Sequence, residues 1–364
     1  MQMKKFLLVT LAAAAALLAC SKNSTEAPEG GQSSLNVRIR AGNPGTKAGT
    51  TVSENDEAKV SRIEVLVFNS GGGLDAYKSS DGSGLKVEGI STSSGSKTVV
   101  AVVNAPASAK INEVTDIEAL RGKTSLFKAD NDPDNFVMYG EKSVYLTPTG
   151  TNDVSVDVSR LAARIRIDKV TRKFRSEMSG LVDLPASEFE VVRFYLTNVA
   201  DEVNYGSPVG GAVAVSNWLT DETPHNASPA ASVAIDKDAL VYSPAKADGG
   251  ANLLAQNGEY SNIHRLYAYP NSSTSQITKL VVECKIDGKY YTYPIAYEEL
   301  KSNYSYEIRN LTVTRLGHNT DGDDNIDPDE QVDPIVTLDF DCEIVVNPWN
   351  LVLMGPDGDG NITI

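Results

Sequence analysis

The chain has 364 residues, 22% charged and 41% hydrophobic, an ordinary globular composition with room for about two domains. Its formal net charge of -15 excludes nucleic acid and anionic lipid faces as natural partners and suits a soluble, surface-exposed protein. Three cysteines, Cys20, Cys284 and Cys342, make no disulfide framework, and no run beyond Cys20 is apolar for long enough to cross a membrane.

The first element is a leader. Lys4 and Lys5 form its basic start, and Phe6 to Leu18 form an apolar run shorter than the roughly 20 residues of a spanning helix. Leu17-Leu18-Ala19-Cys20 then has the pattern of a bacterial lipobox. The pathway that reads it puts a diacylglycerol on the Cys sulfur, cuts before the Cys and acylates the new amino group, which is more than stable anchoring needs. The alternative is a plain secretory leader that contains a Cys. On the lipobox reading, residues 1–19 lie outside the fold and Cys20 alone tethers an exported precursor to the outer membrane.

Ser21 to Ser34 is Ser/Gly/Glu/Pro-rich and reads as a flexible tether. Leu35 to Arg40 alternates strictly, with Leu35, Val37 and Ile39 on one face and Asn36, Arg38 and Arg40 on the other, which predicts a half-buried strand. A loop from Ala41 to Glu57 holds a single basic residue, Lys47, within Gly45-Thr46-Lys47-Ala48-Gly49. Short β-patterned runs come next: Ile63 to Phe68, Thr98 to Val103 ending at Asn104-Ala105-Pro106, Val154 to Val158, Ile165 to Ile167, Phe189 to Val199, Leu280 to Ile286, Tyr290 to Ile295 and Tyr304 to Val313. Many short strands with Gly, Pro, Asn and Asp between them predict β-sandwiches. The best helix candidate is Asn112 to Leu120, with Asn112 as its cap. The domain boundary is expected between Ser159 and Lys169. His318 to Asp333 is dense in Asp, Asn and Gly and reads as a solvated linker. After it, Val336, Leu338, Phe340, Cys342, Ile344 and Val346 share one face of the most regular strand pattern in the chain. Trp349 to Met354 gives a last apolar run, and Gly355 to Ile364 reads as turn.

Little of this pattern supports catalysis. The three histidines, His225, His264 and His318, stand at no metal-ligand spacing, and no nucleophile elbow, phosphate loop or zinc-protease helix occurs. The chain therefore reads as a non-enzyme with no catalytic residue, no cofactor and no metal. Asp321 to Asn325 and Asp357 to Asn361 begin like calcium loops. Ile326 and Ile362 replace the required Gly and no Glu closes either loop, which favours a hydrated linker and tail. Arg160, Arg164, Arg166, Lys169, Arg172, Lys173 and Arg175 form either a polyanion site or, as the alternation with Ile165 and Ile167 favours, a solvated strand face. Tyr290, Tyr291, Tyr293, Tyr297, Tyr304 and Tyr306 form either a glycan platform or, as tyrosine's strand preference favours, core and cross-strand packing.

The informative pairing is between the two ends. A sandwich that loses a terminal strand exposes unpaired backbone groups over an apolar floor, which a strand from another chain can fill. Residues 35–40 offer three apolar side chains to such a site and residues 336–346 offer six. At roughly 1.5–3 kcal/mol for each buried side chain, the longer strand wins by several kcal/mol before ordering costs. Head-to-tail donation does not close, so it builds a filament. Lys47, in a loop of small residues, is where a trypsin-like protease could release the first strand.

The sequence resembles the major fimbrial subunits (fimbrillins) of Bacteroidales, the FimA-like group of type V pili. The resemblance lies in the leader ending at Ala19-Cys20, Lys59 to Asn69, Val87 to Ile90, Thr98 to Ala105, Ala162 to Ile165, Asn303 to Ile308 and Leu338 to Gly355 with Pro348-Trp349. It implies an all-β chain of two transthyretin-like Greek-key β-sandwich domains in tandem, with a cleavable N-terminal strand and a C-terminal donor-strand extension. Carried onto this chain, residues 1–19 are the signal peptide, 20–47 a propeptide, 48–162 and 163–333 the two sandwiches, and 334–364 the appendage. The lipidated residue is Cys20, the scissile bond Lys47-Ala48, and the donor strand about Ile335 to Val346. The best-known members carry Arg at the cleavage position. An Arg-only protease would leave Lys47 uncut, with Arg40 as the fallback.

The first functional reading is a polymerising fimbrial subunit that supports adhesion and biofilm. Its partners are copies of itself, anchor and tip subunits, a trypsin-like surface protease and, before cleavage, the outer membrane. The mature form would lie in extracellular fimbriae. The rivals are a tip or accessory adhesin for glycan or host protein, and a non-polymerising surface lipoprotein.

Overall fold

The computed structural model describes residues 32–41, 56–148, 151–174, 188–206, 218–219, 239–319, 350–354 and 361–363. The strands of the N-terminal half are β1 (Gln32–Ala41), β2 (Ile63–Asn69), β3 (Leu74–Ser80), β4 (Lys86–Ser93), β5 (Gly95–Val103), β6 (Thr124–Leu126), β7 (Met138–Leu146) and β8 (Thr151–Arg160), with short helices α1 (Ile117–Arg121) and α2 (Phe127–Asp130) between β5 and β7. Seven of these strands form one sheet in the order β3-β2-β5-β7-β8-β1-β4. β7 and β8 pair at Met138–Arg160 and Tyr139–Ser159. There a Cβ on Gly140 would stand 1.9 Å from the Asp157 carbonyl oxygen, so only glycine permits the approach. The sheet folds at this contact into two layers. Ile63, Val65, Val67, Val99, Ala101 and Val103 on one side meet Leu35, Val37, Ile39, Val87, Ile90, Val154, Val156 and Val158 on the other in a single apolar cluster.

β2 and β5 are apolar on both faces because both are covered. Leu66, Phe68, Val100 and Val102 point away from that cluster into a second one, with Leu120, Phe127 and Phe136. The second cluster continues without a break into Leu161, Ala163, Ile165 and Tyr267 of the C-terminal half. Strands buried on both sides lose the polar alternation, which is why Ile63 to Phe68 and Thr98 to Val103 read as nearly continuous apolar runs. β5 ends where Asn104 takes a left-handed backbone (φ 59°) and its amide donates to the carbonyls of Lys59 and Phe136 at 2.8 and 3.0 Å.

The C-terminal half contains β9 (Ala163–Ile167), β10 (Val170–Arg172), β11 (Phe189–Thr197), β12 (Val199–Ala200), β13 (Glu202–Asn204), β14 (Trp218–Leu219), β15 (Tyr242–Pro244), β16 (Glu259–Tyr260), β17 (His264–Ala268), β18 (Thr278–Ile286), β19 (Lys289–Tyr297), β20 (Tyr304–Ile308), β21 (Asn310–Val313), β22 (His318–Asn319), β23 (Asn350–Leu353) and β24 (Asn361–Thr363). They form sheets in the orders β15-β11-β18-β19-β22, β17-β9-β20-β23 and β16-β10-β21-β24, and β13 pairs with β6 of the first half. β9 and β20 run parallel, as do β10 and β21, so both chains pass together from one sheet to the next.

Four expectations need correction. The predicted helix from Asn112 starts later, at Ile117. Val114 is extended, and the cap is Asp116, whose carboxylate accepts the Ala119 N–H at 2.8 Å. The predicted strand from Tyr304 to Val313 is two strands, which enter different sheets. The tail predicted as turn contains β24, which pairs with β21 and buries Ile362. Among the cations read as a solvated face, Arg160, Arg164 and Arg172 are buried.

Hydrogen bonding explains those buried arginines. Arg164 donates to Glu57 Oε2 at 2.9 Å, Glu307 Oε1 at 3.3 Å and Ser305 Oγ at 2.9 Å. Tyr267 donates to Glu57 Oε1 at 2.8 Å, and Arg160 to the Glu57 carbonyl and to Asn303 Oδ1. Burial lowers Arg160 to a pKa of about 10, which leaves it charged at neutral pH. Arg172 donates to the Leu254 carbonyl at 2.9 Å and lies against the Phe174 ring. Buried guanidinium groups survive because partners replace their water. Glu57 belongs to the short turn Asp56–Ala58, so this knot fastens the start of the second described segment to the C-terminal half.

His264 is buried between Ser243 Oγ, 2.7 Å from Nδ1, and the Tyr260 hydroxyl, 2.8 Å from Nε2. Tyr260 Oη also accepts the Lys246 N–H, so the imidazole is held at both ring nitrogens by groups that are themselves fixed. Burial, with a smaller contribution from Lys246, lowers this imidazole to a pKa of about 4.

Two outcomes are expected. Glu57→Ala, which leaves the Arg164 charge buried with one carboxylate fewer, should destabilise the protein by about 3–5 kcal/mol in urea unfolding. Glu57→Gln should cost less. Because the folded-state pKa of His264 lies below the ordinary value of 6.5, its neutral-state stabilisation is complete above that value and falls as pH drops from 6.5 towards 4. A His264→Gln variant should therefore lack this part of the wild-type stability slope in urea titrations across that window.

Candidate functional site

β1 is the strand that supplies the middle of one layer. It runs antiparallel to β4, with pairs from Gln32–Ser93 to Arg38–Lys86, and parallel to β8, with pairs from Ser34–Thr151 to Ala41–Val158. Its alternation seats Leu35, Val37 and Ile39 in the core at 0%, 0% and 2% exposure. These three predicted residues are thus brought together on one buried face.

The register slips once, between Leu35–Ile90 and Val37–Val87, where β4 carries an extra residue and Gly89 adopts φ 64°. This is a bulge that glycine allows without strain. Asn36 fills it from β1: its Oδ1 accepts the Gly89 N–H at 3.0 Å and its Nδ2 donates to Asp153 on β8 at 3.1 Å. Ser33 is held at the start of the strand, donating to the Thr147 carbonyl and accepting from Asn152 Nδ2 at 2.9 and 2.8 Å.

A chain without β1 would present a channel one strand wide. Its walls are the facing edges of β4 and β8. Its floor is Val87, Ile90, Val154, Val156 and Val158 together with the opposite layer. Such a channel can hold an extended segment with apolar side chains at alternate positions, in main-chain pairing on both sides. The chain leaves β1 at Ala41 and rejoins the described residues at Asp56. A cut between them would leave β1 joined to the rest by non-covalent contacts alone.

Of the other predicted residues, Arg40 lies in β1 with its backbone opposite Asp157. Cys20, Lys47, Ala48 and the run Val336, Leu338, Phe340, Cys342, Ile344 and Val346 lie outside the described residues, as do Asp321 to Asn325 and Asp357 to Gly360 of the segments resembling calcium loops, whereas Asn361 opens β24. On either side of that run, β22 pairs with β19, and β23 and β24 pair with β20 and β21, burying Val352, Met354 and Ile362 in the chain's own core. Part of the segment expected as an appendage is therefore built into the fold. Cys284 is a free thiol buried in β18, and burial raises its pKa. Tyr291, Tyr293, Tyr297 and Tyr306 are core residues, with Tyr297 and Tyr306 edge-to-face at 5.6 Å. No group of His, Cys, Asp and Glu among the described residues could hold a metal ion.

Sequence reading missed Asn36 and Asn152, which fix the β1 register, and Asp75, Lys78 and Lys97 beside it. Lys97 and Asn36 carried a signal: each is a polar residue inside a strand pattern, and each proves to have a specific partner.

Comparison with known proteins places this geometry. Residues 33–169, which span all of the seven-stranded sheet but Gln32, match the family of the major fimbrial subunit protein FimA. The chain is 28% identical over 187 residues to the major fimbrium subunit FimA type-2 of Porphyromonas gingivalis, a match covering 47% of this chain and 46% of that protein. It thus spans about half the length of the curated relative it matches. The fold is similar to that of a fimbrilin (FimA) from Porphyromonas gingivalis, with a TM-score of 0.53 and 16% identity over 79% of this chain and 91% of the other. It is similar also to a candidate cell adhesion protein from Parabacteroides distasonis, with a TM-score of 0.56 and 17% identity over 90% of this chain and 99% of the other. At these identities the likeness is one of fold. Residues 33–169, the part that holds the β1 site, are thus similar to the FimA major fimbrial subunit family.

Proposed function

We propose that this chain is a structural subunit of cell-surface fimbriae and polymerises by exchanging a strand between copies. The observation that carries the proposal is the position of β1: a strand with three core side chains, inserted between β4 and β8, and the first strand in the described chain. The precursor reaches the outer membrane with lipid on Cys20. A trypsin-like protease cuts Lys47-Ala48, and β1 leaves together with the lipid. The run from Val336 to Val346 of another copy then fills the channel with six apolar side chains in place of three. Repetition gives a head-to-tail filament, with anchor and tip subunits at its ends, that supports adhesion and biofilm.

Two features of the fold bear on the steps. The Arg40–Ala41 bond lies inside the ladder with β8, where a protease cannot draw the chain into an extended active-site conformation without first unpairing it. Lys47, beyond the strand, is the better substrate. The donor run lies between β22 and β23, both paired to this chain's own sheets. To reach a neighbour it must bow outwards, or β23 and β24 must leave their edge positions, where each has a single neighbouring strand.

The test is limited trypsin digestion of the purified full chain, with sequencing of the new N-terminus and inspection for SDS-resistant ladders and filaments. Cleavage after Lys47 followed by ladders is expected. A Leu338→Asp, Phe340→Asp variant should be cut at the same place, keep its circular dichroism and form no ladder. Wild-type protein cut at Lys47 that stays monomeric would overturn the proposal.

A further inference from the structure

β4 is the weak wall of the β1 site. It is the last strand of the sheet, and its only ladder among the described residues is the one with β1. The opposite end strand, β3, comes back to face it, but no backbone ladder joins the two. Side chains do. Lys78 on β3 reaches across to the β4 bulge, its Nζ donating to the carbonyls of Glu88 and Gly89 at 2.8 and 3.2 Å. Ser80 donates to the Lys86 carbonyl at 3.2 Å.

Farther along, the Asp75 carboxylate on β3 accepts from the Ser93 N–H and Oγ at 2.9 and 2.8 Å and from Thr92 Oγ1, all on β4. Lys97 on β5, its side chain 4% exposed, lies 3.0 Å from the same carboxylate and donates to Ser93 Oγ at 2.6 Å. Desolvation works to raise the Asp75 pKa. The hydrogen bonds from Thr92, Lys97 and Ser93 outweigh it and hold the carboxyl below the usual range.

We infer that Asp75 and Lys78 brace β4 from its outer side, holding it one strand-width away from β8 while the β1 site is vacant, so that the channel stays open to a strand from a second copy of this chain. This rests on reading β1 as the strand that leaves. With β1 gone, β4 and β8 face each other with unpaired edges across a gap of about 10 Å, two strand spacings. Each also carries an apolar face. A shift of one spacing would let them pair directly and seal the channel. That shift would pull β4 away from Asp75 and Lys78, and would leave the Lys97–Asp75 pair without the Ser93 and Thr92 hydroxyls that complete it. Stranding buried charge in this way is costly. Asp75 and Lys78 are positioning residues: they touch the wall of the channel, not the strand inside it.

The test uses full-length protein with a specific protease sequence inserted after Thr50, cut, freed of the released N-terminal segment in mild denaturant, returned to buffer and then incubated with a labelled peptide of residues 32–41. The cut wild type is expected to take up the peptide. An Asp75→Asn, Lys78→Met variant should take it up roughly tenfold more weakly, while the uncut variant keeps its sheet circular dichroism and a cooperative thermal transition. Lys78→Arg should restore uptake. Hydrogen exchange should show β4 amides protected in the cut variant without peptide and labile in the cut wild type. Should the double variant fail to fold before cutting, Lys78→Met alone carries the same test. Equal uptake by variant and wild type overturns the brace, as does a cut wild type that takes up no peptide. Peptide uptake by wild-type protein that never forms filaments would instead count against the polymerising function and leave the brace standing.

Discussion

The fold of the N-terminal half depends on one constraint: a central strand of its second layer comes from the first described residues of the chain and is held from both sides. β1 completes the backbone pairing of β4 and β8 at once and places Leu35, Val37 and Ile39 over the core that β2 and β5 share. A strand with two ladders and a buried face is hard to remove by fraying. Yet its covalent connection to the body runs only through residues 42–55. The same segment is thus strongly held by contacts and weakly held by topology, and a single peptide bond separates those two conditions.

The chain beyond β1 is fixed by other means. Glu57 is buried among Arg164, Tyr267 and the Arg160 guanidinium. Its carboxylate is anchored electrostatically in the C-terminal half, by Arg164 of β9 and Tyr267 of β17. Loss of β1 therefore leaves the beginning of the remaining chain fastened. The second apolar cluster runs from β2 and β5 through Leu161 into β9 and β17. The two halves share buried surface, and a change in one layer of the first sheet is felt through β2 and β5, whose opposite faces line the two clusters. The brace on β4 fits this arrangement: of the walls of the β1 site, β8 also pairs with β7, whereas β4 has no described ladder but the one with β1 and needs support from outside it.

Much of this was legible in the residues. The strict alternation of Leu35 to Arg40 marked a half-buried strand because side chains on a strand alternate between faces. The apolar runs at Ile63 and Thr98 marked strands for the converse reason, being covered on both faces. The Asn112 helix was misplaced because Val114 favours extended backbone and Asp116 is the better cap, a local competition that a short window does not resolve. Arg160, Arg164 and Arg172 were read as solvated because the basic positions alternate with Ile165 and Ile167, the pattern of a half-buried strand. Their burial depends on Glu57, Asn303, Ser305, Glu307 and Leu254, which lie far away in the chain.

By itself, then, the sequence determined the β character of the chain, the buried face of β1 and the likeness of residues 33–169 to the FimA major fimbrial subunits. Each is written in local periodicity or in short ordered motifs, and short-range sterics enforce them. Only the tertiary structure decided which strands β1 lies between, how the ends of the sheet are braced by Asp75 and Lys78, and that β23 and β24 pair with this chain's own sheets. Those facts rest on contacts between residues distant in the chain. Their free energy comes from desolvation and from pairing across the fold, for which a linear pattern carries no record of the partner.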